Sequence, residues 1–171
     1  AHRDHHTGRA RKRPRHPVNL VLLALACAAP SQPDDTAGPR FCNNAEALCD
    51  RPVDQVTFLG THNAMSSAER EWLGPNQTFA LPTQLADGVR AINLDLYDVE
   101  GVPTLCHGYC SLGSQPMADG LGEIATFLEG APDNVLLITF ESYISASQAE
   151  SAFIEAGLAD HVYSHAHGTP W

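Results

Sequence analysis

The sequence predicts an α/β fold in which parallel strands alternate with helices. Three observations predict this class: four short runs rich in apolar, β-branched or aromatic residues, segments with helical periodicity between them, and one unbroken apolar run typical of a strand buried on both faces. The four runs lie at residues 55–59, 89–96, 102–106 and 135–140. Helical signals rather than hairpin turns separate them, so we expect parallel βα units.

The four predicted strands differ in character. The first is QVTFL at residues 55–59, and the third, at residues 102–106, is the weakest. The second strand alternates, with Ile92, Leu94 and Leu96 on one face and Ala91, Asn93 and Asp95 on the other. The fourth is the unbroken run VLLITF at residues 135–140. We expect the polar positions of these strands to point into an interior while the apolar positions meet the helices.

Two helices are predicted in the second half of the chain. The first carries Met117, Leu121, Ile124 and Leu128 at helical spacing. The second begins with a capping box, Ser145 with Gln148, and ends at Gly157, where a left-handed C-cap belongs. Between the first two strands, residues 67–73 and 83–86 are compatible with shorter helices.

The charge of the chain is unevenly distributed. The formal net charge is -10, but seven of the ten basic residues fall within the first 40 positions. Residues 41–171 hold three arginines and 17 acidic residues, a formal charge of −14. A domain this acidic is a poor candidate for binding nucleic acid or an anionic lipid surface by charge alone. We expect no nucleic-acid partner.

Residues 1–40 read as a signal peptide-like segment followed by a polar linker. A basic run at residues 9–15 precedes an apolar stretch at residues 18–26 and then small residues. This order is typical of a secretory signal, and the apolar stretch is too short to span a bilayer. We therefore expect a secreted protein with no transmembrane span in the mature chain, either extracellular or periplasmic. Lipid anchoring at Cys27 is the less favoured alternative, since the residues before it only approach a lipoprotein box.

Four cysteines remain in residues 41–171, and an even number in an exported chain indicates disulfides. Three connectivities are possible, and we favour the two local pairs, Cys42 with Cys49 and Cys106 with Cys110. Zinc is the weaker interpretation, because no four ligands cluster in sequence.

Chemistry-bearing side chains fall at or just past the ends of all four predicted strands. They are His62, Asn63, Asp95, His107 and Glu141, and Asn93 shares a face with Asp95. The carboxyl ends of parallel strands meet at one edge of a sheet, so we expect these residues to converge there. Two histidines suit proton transfer near neutral pH, and carboxylate and amide oxygens suit Ca²⁺.

The motifs GTHN (60–63), QLADGVR (84–90), NLD (93–95), CHG (106–108) and ITFE (138–141) together resemble the X region of the phosphatidylinositol-specific phospholipase C superfamily. The resemblance covers roughly residues 41–171. It implies a partial TIM (β/α) barrel, about four parallel βα units of an eight-unit barrel. It also implies cleavage of a phosphodiester in a phosphoinositide-type lipid headgroup at a membrane surface.

The resemblance implies a role for each site residue. His62 is expected to act as general base and His107 to assist proton transfer and stabilise the phosphorus transition state. The expected Ca²⁺ ligands are Asn63, Asn93, Asp95 and Glu141. Calcium-using members have Glu where this chain has Asn93, so we expect weaker calcium binding. Since only about four units are present, the alternative is a non-catalytic exported binding module or an inactive truncated fragment.

Overall fold

The computed structural model describes residues 38–164 and Gly168, which form a mixed α/β fold. The five strands are β1 (Gly60–Thr61), β2 (Ala91–Val99), β3 (Val102–Cys106), β4 (Ser114–Pro116) and β5 (Leu137–Ser142). The three α-helices are α1 (Leu81–Ala86), α2 (Met117–Gly130) and α3 (Ala146–Glu155). Short 3₁₀ turns cover Glu46–Leu48, Val53–Gln55, Cys110–Leu112 and Ala159–His161.

Strand β2 is the centre of the sheet and pairs with three other strands. It runs parallel to β1 and to β5, and antiparallel to β3, which in turn pairs antiparallel with β4. Helix α1 connects the parallel strands β1 and β2, as expected for a βα unit. The register with β5 places Asn93 opposite Thr139 and Asp95 opposite Glu141.

The predicted parallel direction of the third strand is wrong. Strands β2 and β3 form a hairpin whose two turn residues, Glu100 and Gly101, have φ values of +55° and +87°. Positive φ at both central residues is typical of the tight turn that suits the twist of a hairpin. The side chain of Asp98 closes the turn by accepting a hydrogen bond from the Gly101 N–H at 2.6 Å. Two residues cannot form the crossover that parallel strands require.

The first strand and the segment that follows it also differ from the prediction. Residues 53–55 form a 3₁₀ turn, and the chain reaches the sheet only at Leu59, whose carbonyl accepts from the Ala91 N–H at 3.0 Å. Strand β1 is therefore restricted to Gly60–Thr61. Residues 67–73 form turns rather than a helix, and Ser67 is bridged to Gln77. The short helix expected at residues 83–86 is confirmed within α1.

The predicted helices α2 and α3 are confirmed, and they cover one face of the sheet. Ile92, Leu94 and Leu96 of β2 are buried with the Met117, Leu121 and Ile124 face of α2. Ser145 and Gln148 form the capping box of α3, and Gly157 follows the helix with a φ of +71°. The ring of Phe140 meets that of Phe153 edge-on, with centroids 5.9 Å apart, so β5 packs its apolar face against α3.

Both predicted disulfides, Cys42–Cys49 and Cys106–Cys110, are present. The first closes a loop that docks near the start of β5, where Asn43 Oδ1 accepts from the Val135 N–H at 2.8 Å. The predicted signal segment, including Cys27, lies outside the described residues. Within residues 38–164, no helix has the length and apolar character needed to cross a membrane.

Candidate active site

The six predicted site residues lie at one edge of the sheet because of its strand directions. His62 and Asn63 follow β1, Asn93 and Asp95 lie in β2, and Glu141 lies in β5, all three strands being parallel. Strand β3 runs the other way, yet its register pairs Leu105 with Leu96. The chain therefore leaves β3 next to Asp95. Here His107 joins the site even though its strand direction differs from the prediction.

Asn63 is the hub of the site. This residue is 1% exposed, and its backbone N–H donates to Asn93 Oδ1 at 3.2 Å. With the side-chain amide oriented so that donors face acceptors, its nitrogen lies 3.0 and 3.1 Å from the two Asp95 oxygens and 3.1 Å from Asn93 Oδ1. Its oxygen accepts from His107 Nε2 at 3.1 Å. The Asn63 amide thus contacts three other predicted site residues, Asn93, Asp95 and His107.

The backbone conformation around Asn63 is held by its neighbours. Asn63 has a φ of +49°, a region that Asn adopts more readily than most residues. The next residue, Ala64, donates its N–H to the Asn93 carbonyl at 2.9 Å, and its carbonyl accepts from the buried Gln84 side chain at 2.8 Å. Gln84 belongs to the QLADGVR motif, so that motif supports the site without entering it.

Asp95 is the most buried charged group of the site, with 4% exposure. Burial, and after it the nearby Glu141 carboxylate, raise the pKa of Asp95 above its usual range, while His107 and His62 act in the opposite direction. Both histidines and Glu141 are therefore close enough to Asp95 to interact with it electrostatically. His62 is exposed, and its carbonyl accepts from the Gln77 side chain at 2.6 Å.

The donor set fits a hard divalent cation better than zinc. Among the described residues, no group of three or more His, Cys, Asp or Glu side chains is placed to hold a metal ion. The predicted set instead combines two carboxylates, Asp95 and Glu141, with the amides of Asn63 and Asn93. With the Asn63 amide in its other orientation, its oxygen faces both Asp95 oxygens and Asn93 Oδ1, and a cluster of oxygens alone suits a hard cation. Since burial and the Glu141 carboxylate raise the pKa of Asp95, a cation among these oxygens would favour its ionised form.

A cavity of about 310 Å³ opens beside His107. Its walls include Trp72, Leu73, Tyr109 and Leu112, so they are mainly apolar. A larger cavity of about 570 Å³ lies between the β2–β3 turn and α3, and the predicted site residues do not line it. The chemistry and the larger cavity therefore do not coincide, and we associate the smaller cavity with the site because His107 lines it.

Sequence reasoning missed Tyr143. Its hydroxyl donates to Glu141 Oε1 at 2.6 Å, and its ring stacks on that of Tyr97 with centroids 4.9 Å apart. The signal was available, because Tyr97 and Tyr143 each lie two residues after an acidic site residue and share its side of the strand.

Taken together, the strand ends and the loop after β3 bring two histidines, two carboxylates and two amides to one edge of an α/β sheet. Residues 48–169 match the PI-PLC X family, and the chain belongs to that family.

Three relatives illustrate the similarity. A PI-PLC X domain-containing protein of Arabidopsis thaliana is 34% identical over 120 residues, covering 63% of this chain and 28% of the relative. An uncharacterized secreted protein of Arthroderma benhamiae is 29% identical over 136 residues, covering 78% of this chain and 30% of the relative. PI-PLC X domain-containing protein 1 of the same fungus is 28% identical over 159 residues, covering 88% and 50%. The chain therefore spans half or less of the length of these relatives.

Proposed function

We propose that the protein is a phosphodiesterase of the phospholipase C type that cleaves a phosphoinositide-type lipid headgroup. Membership of the PI-PLC X family supports the reaction class. The observation that carries the proposal is the Asn63 amide, which links His107 to Asp95 and Asn93 within 3.1 Å. Such a linkage brings a proton-transfer group and hard oxygen ligands together, as cleavage of a phosphodiester needs.

The proposed reaction divides proton transfer between the two histidines. His62 accepts the proton of the substrate's own hydroxyl as that oxygen attacks phosphorus, and a new P–O bond forms. The P–O bond to diacylglycerol breaks, and His107 assists by donating a proton to the leaving oxygen. The products are diacylglycerol and a cyclic inositol phosphate. Water can then attack the cyclic phosphorus as His107 accepts its proton, and the ring P–O bond breaks as His62 returns its proton to the inositol oxygen. Positioned acid–base groups typically contribute about 10²–10⁴-fold in rate.

We further propose that Asn63, Asn93, Asp95 and Glu141 hold Ca²⁺, with the Asn63 amide turned so that its oxygen rather than its nitrogen faces the Asp95 and Asn93 oxygens. When bound, this ion supplies positive charge that neutralises a phosphodiester oxygen. Asn93 contributes an amide where calcium-using members have a carboxylate, so the site carries one formal negative charge less. We therefore expect weak calcium binding.

We also propose that the domain is exported and that it forms a partial (β/α) barrel. The two disulfides and the secreted relative support export from the cell. The parallel strands β1, β2 and β5, with α1 between the first two and α2 before the third, support a partial (β/α) barrel whose carboxyl edge carries the site. In that proposal the substrate is presented at a membrane surface, and the cavity beside His107 receives apolar substrate groups.

The test is release of a cyclic inositol phosphate from phosphatidylinositol by the full chain. We expect His62→Gln and His107→Gln each to lower kcat/KM by at least about 100-fold, because each removes one proton-transfer group. His161→Gln is the matched control, since His161 lies in the 3₁₀ turn after α3. Thermal unfolding of each variant shows whether the fold is intact. Turnover equal to wild type in either site variant would contradict the assignment.

A non-catalytic binding module is the second candidate, and Asn93 is the residue that favours it. A site with only two carboxylates holds a cation less firmly, yet it can still bind a phosphorylated headgroup. Binding of inositol phosphate by the wild-type chain, with no product released from phosphatidylinositol at any calcium concentration, would favour this candidate over the enzyme.

A further inference from the structure

Tyr143 lies at the edge of the candidate site but outside the set of residues that the proposed reaction uses. Its side chain is 60% exposed, and its hydroxyl donates a 2.6 Å hydrogen bond to Glu141 Oε1. Glu141 is the cross-strand partner of Asp95. The Tyr143 hydroxyl therefore contacts one carboxylate of the site next to the strand position of the other.

The ring of Tyr143 is held in place independently of that hydrogen bond. Its backbone N–H donates to the Leu96 carbonyl at 2.9 Å, which continues the pairing of β5 with β2. Its ring stacks on Tyr97 at a centroid distance of 4.9 Å and an interplanar angle of 26°. Stacked aromatic pairs of this kind restrict side-chain rotation. The ring stack and the backbone hydrogen bond therefore hold the Tyr143 hydroxyl in position next to Glu141.

The hydroxyl donates to a carboxylate oxygen, Glu141 Oε1, at 2.6 Å. A hydrogen bond to an ionised carboxylate is shorter and stronger than one between neutral groups. Tyr143 thus restricts Glu141 Oε1, and its hydroxyl donates no hydrogen bond to Oε2.

We propose that Tyr143 is a positioning residue that fixes the Glu141 carboxylate for cation binding. The inference rests on the proposed function, in which Glu141 is one of the Ca²⁺ ligands. Groups that hydrogen-bond a metal ligand orient it, and losing one typically weakens metal binding by about 10–100-fold. A weakly charged site depends more on such orientation, since it has fewer carboxylates to compensate.

The experiment is a calorimetric titration of the full chain with CaCl₂. Tyr143→Phe keeps the stacked ring and removes only the hydroxyl, so we expect the Kd for calcium to rise about tenfold or more while the apo Tm stays unchanged. Tyr97→Phe is the matched control, because it removes the hydroxyl of the stacking partner, and its Kd should stay within twofold of wild type. Turnover of Tyr143→Phe should recover at saturating calcium, which a folding defect would not allow.

The possible outcomes separate this proposal from the proposed function. Calcium binding by wild type with an equal Kd in Tyr143→Phe overturns the Tyr143 assignment alone. An equal loss in Tyr97→Phe also overturns it, since the effect would then not be specific to the Tyr143 hydroxyl that contacts Glu141. Absence of calcium binding in wild type overturns the cation site of the proposed function and the positioning role together. Glu141→Gln, which removes the proposed ligand charge, marks the largest loss that the positioning residue can produce.

Discussion

Single residues determine the shape of the site as much as its chemistry. Gly113 ends the 3₁₀ turn after His107, and Leu112 beside it accepts a hydrogen bond from the Leu73 N–H at 2.8 Å. The indole ring of Trp72, which is 9% exposed, packs directly against the Gly113 backbone. The loop that carries His107 is therefore fitted to a core residue through a position with no side chain.

We predict that Gly113→Ala lowers the free energy of unfolding by about 1–3 kcal/mol, the usual cost of overpacking. An added Cβ would lie 2.7 Å from Trp72 Cβ and overlap the indole ring, and neither group is a flexible chain end. Gly122→Ala is the matched control, because a Cβ there meets nothing within 4 Å and lies inside α2. That variant should gain up to about 1 kcal/mol from helix propensity. Urea denaturation compares the two, and a Gly113→Ala variant as stable as wild type would contradict the packing argument.

At the scale of secondary structure, the elements with strong local signals were predictable. The capping box at Ser145 and the periodicity of α2 located both long helices, and the alternation in β2 identified which positions face the site. The β2–β3 hairpin was missed because its signal is only a Glu-Gly pair with positive φ, which is less recognisable than Asn-Gly. The convergence of His107 with Asp95 survived this error, since a hairpin also returns the chain to the same edge.

The hub role of Asn63 and the Tyr143 contact were beyond prediction for a different reason. Sequence alternation can place a residue on a face, but it does not reveal which atoms of two side chains meet. The amide of Asn63 reaches three partners only because its backbone takes a left-handed conformation after a two-residue strand. Such a detail depends on tertiary pairing rather than on local sequence.

Helix α2 carries a partly buried acid whose titration should be visible in stability. Burial raises the pKa of Glu123, and this effect outweighs the opposing ion pair with Arg70, while Glu123 Oε2 is buried without a hydrogen bond in the described structure. A raised pKa means that the folded state binds this proton more tightly than the unfolded chain. The contribution of Glu123 to stability is therefore most favourable below its ordinary pKa of about 4.3 and falls as pH rises through the raised value.

Because the pKa of Glu123 is raised, we predict that Glu123→Gln gains stability relative to wild type as the pH increases from 4 to 7. The amide keeps the shape of the side chain and carries no charge to desolvate. Urea denaturation of both proteins across this range measures the difference, and Glu150→Gln, at an exposed position of α3, is the control that should show no comparable trend. A difference that shrinks with rising pH would mean that the Arg70 ion pair outweighs burial.

At the scale of the whole molecule, the main feature is an excess of negative charge. Residues 41–171 carry a formal charge of −14, and their three arginines include Arg90, which is 4% exposed and donates to the Leu85 and Val89 carbonyls at 2.6 and 2.8 Å. Arg70 is paired with Glu123. Few cationic side chains are therefore left to offset the acidic ones, so the carboxylates repel each other in the folded state. The same excess makes a proposed cation at the strand edge more favourable.

We predict that NaCl stabilises the folded protein. Raising the NaCl concentration from 10 mM to 150 mM shortens the screening length from about 30 Å to about 8 Å and weakens the repulsion between surface carboxylates. Exposed ion pairs such as Arg40 with Asp133 weaken too, but such pairs contribute about 0–1 kcal/mol each and are outnumbered by the excess negative charges. For a chain of this length we expect Tm to rise by about 2–4 °C, which corresponds to about 1 kcal/mol. The measurement is calorimetric unfolding of the full chain in EDTA, so that calcium binding does not contribute.

A double variant, Glu129→Gln with Glu150→Gln, should have a higher Tm in 10 mM NaCl and a smaller response to salt. If Tm instead falls as salt is added, ion pairs rather than repulsion govern the surface, and the electrostatic argument for a cation at the strand edge weakens with it.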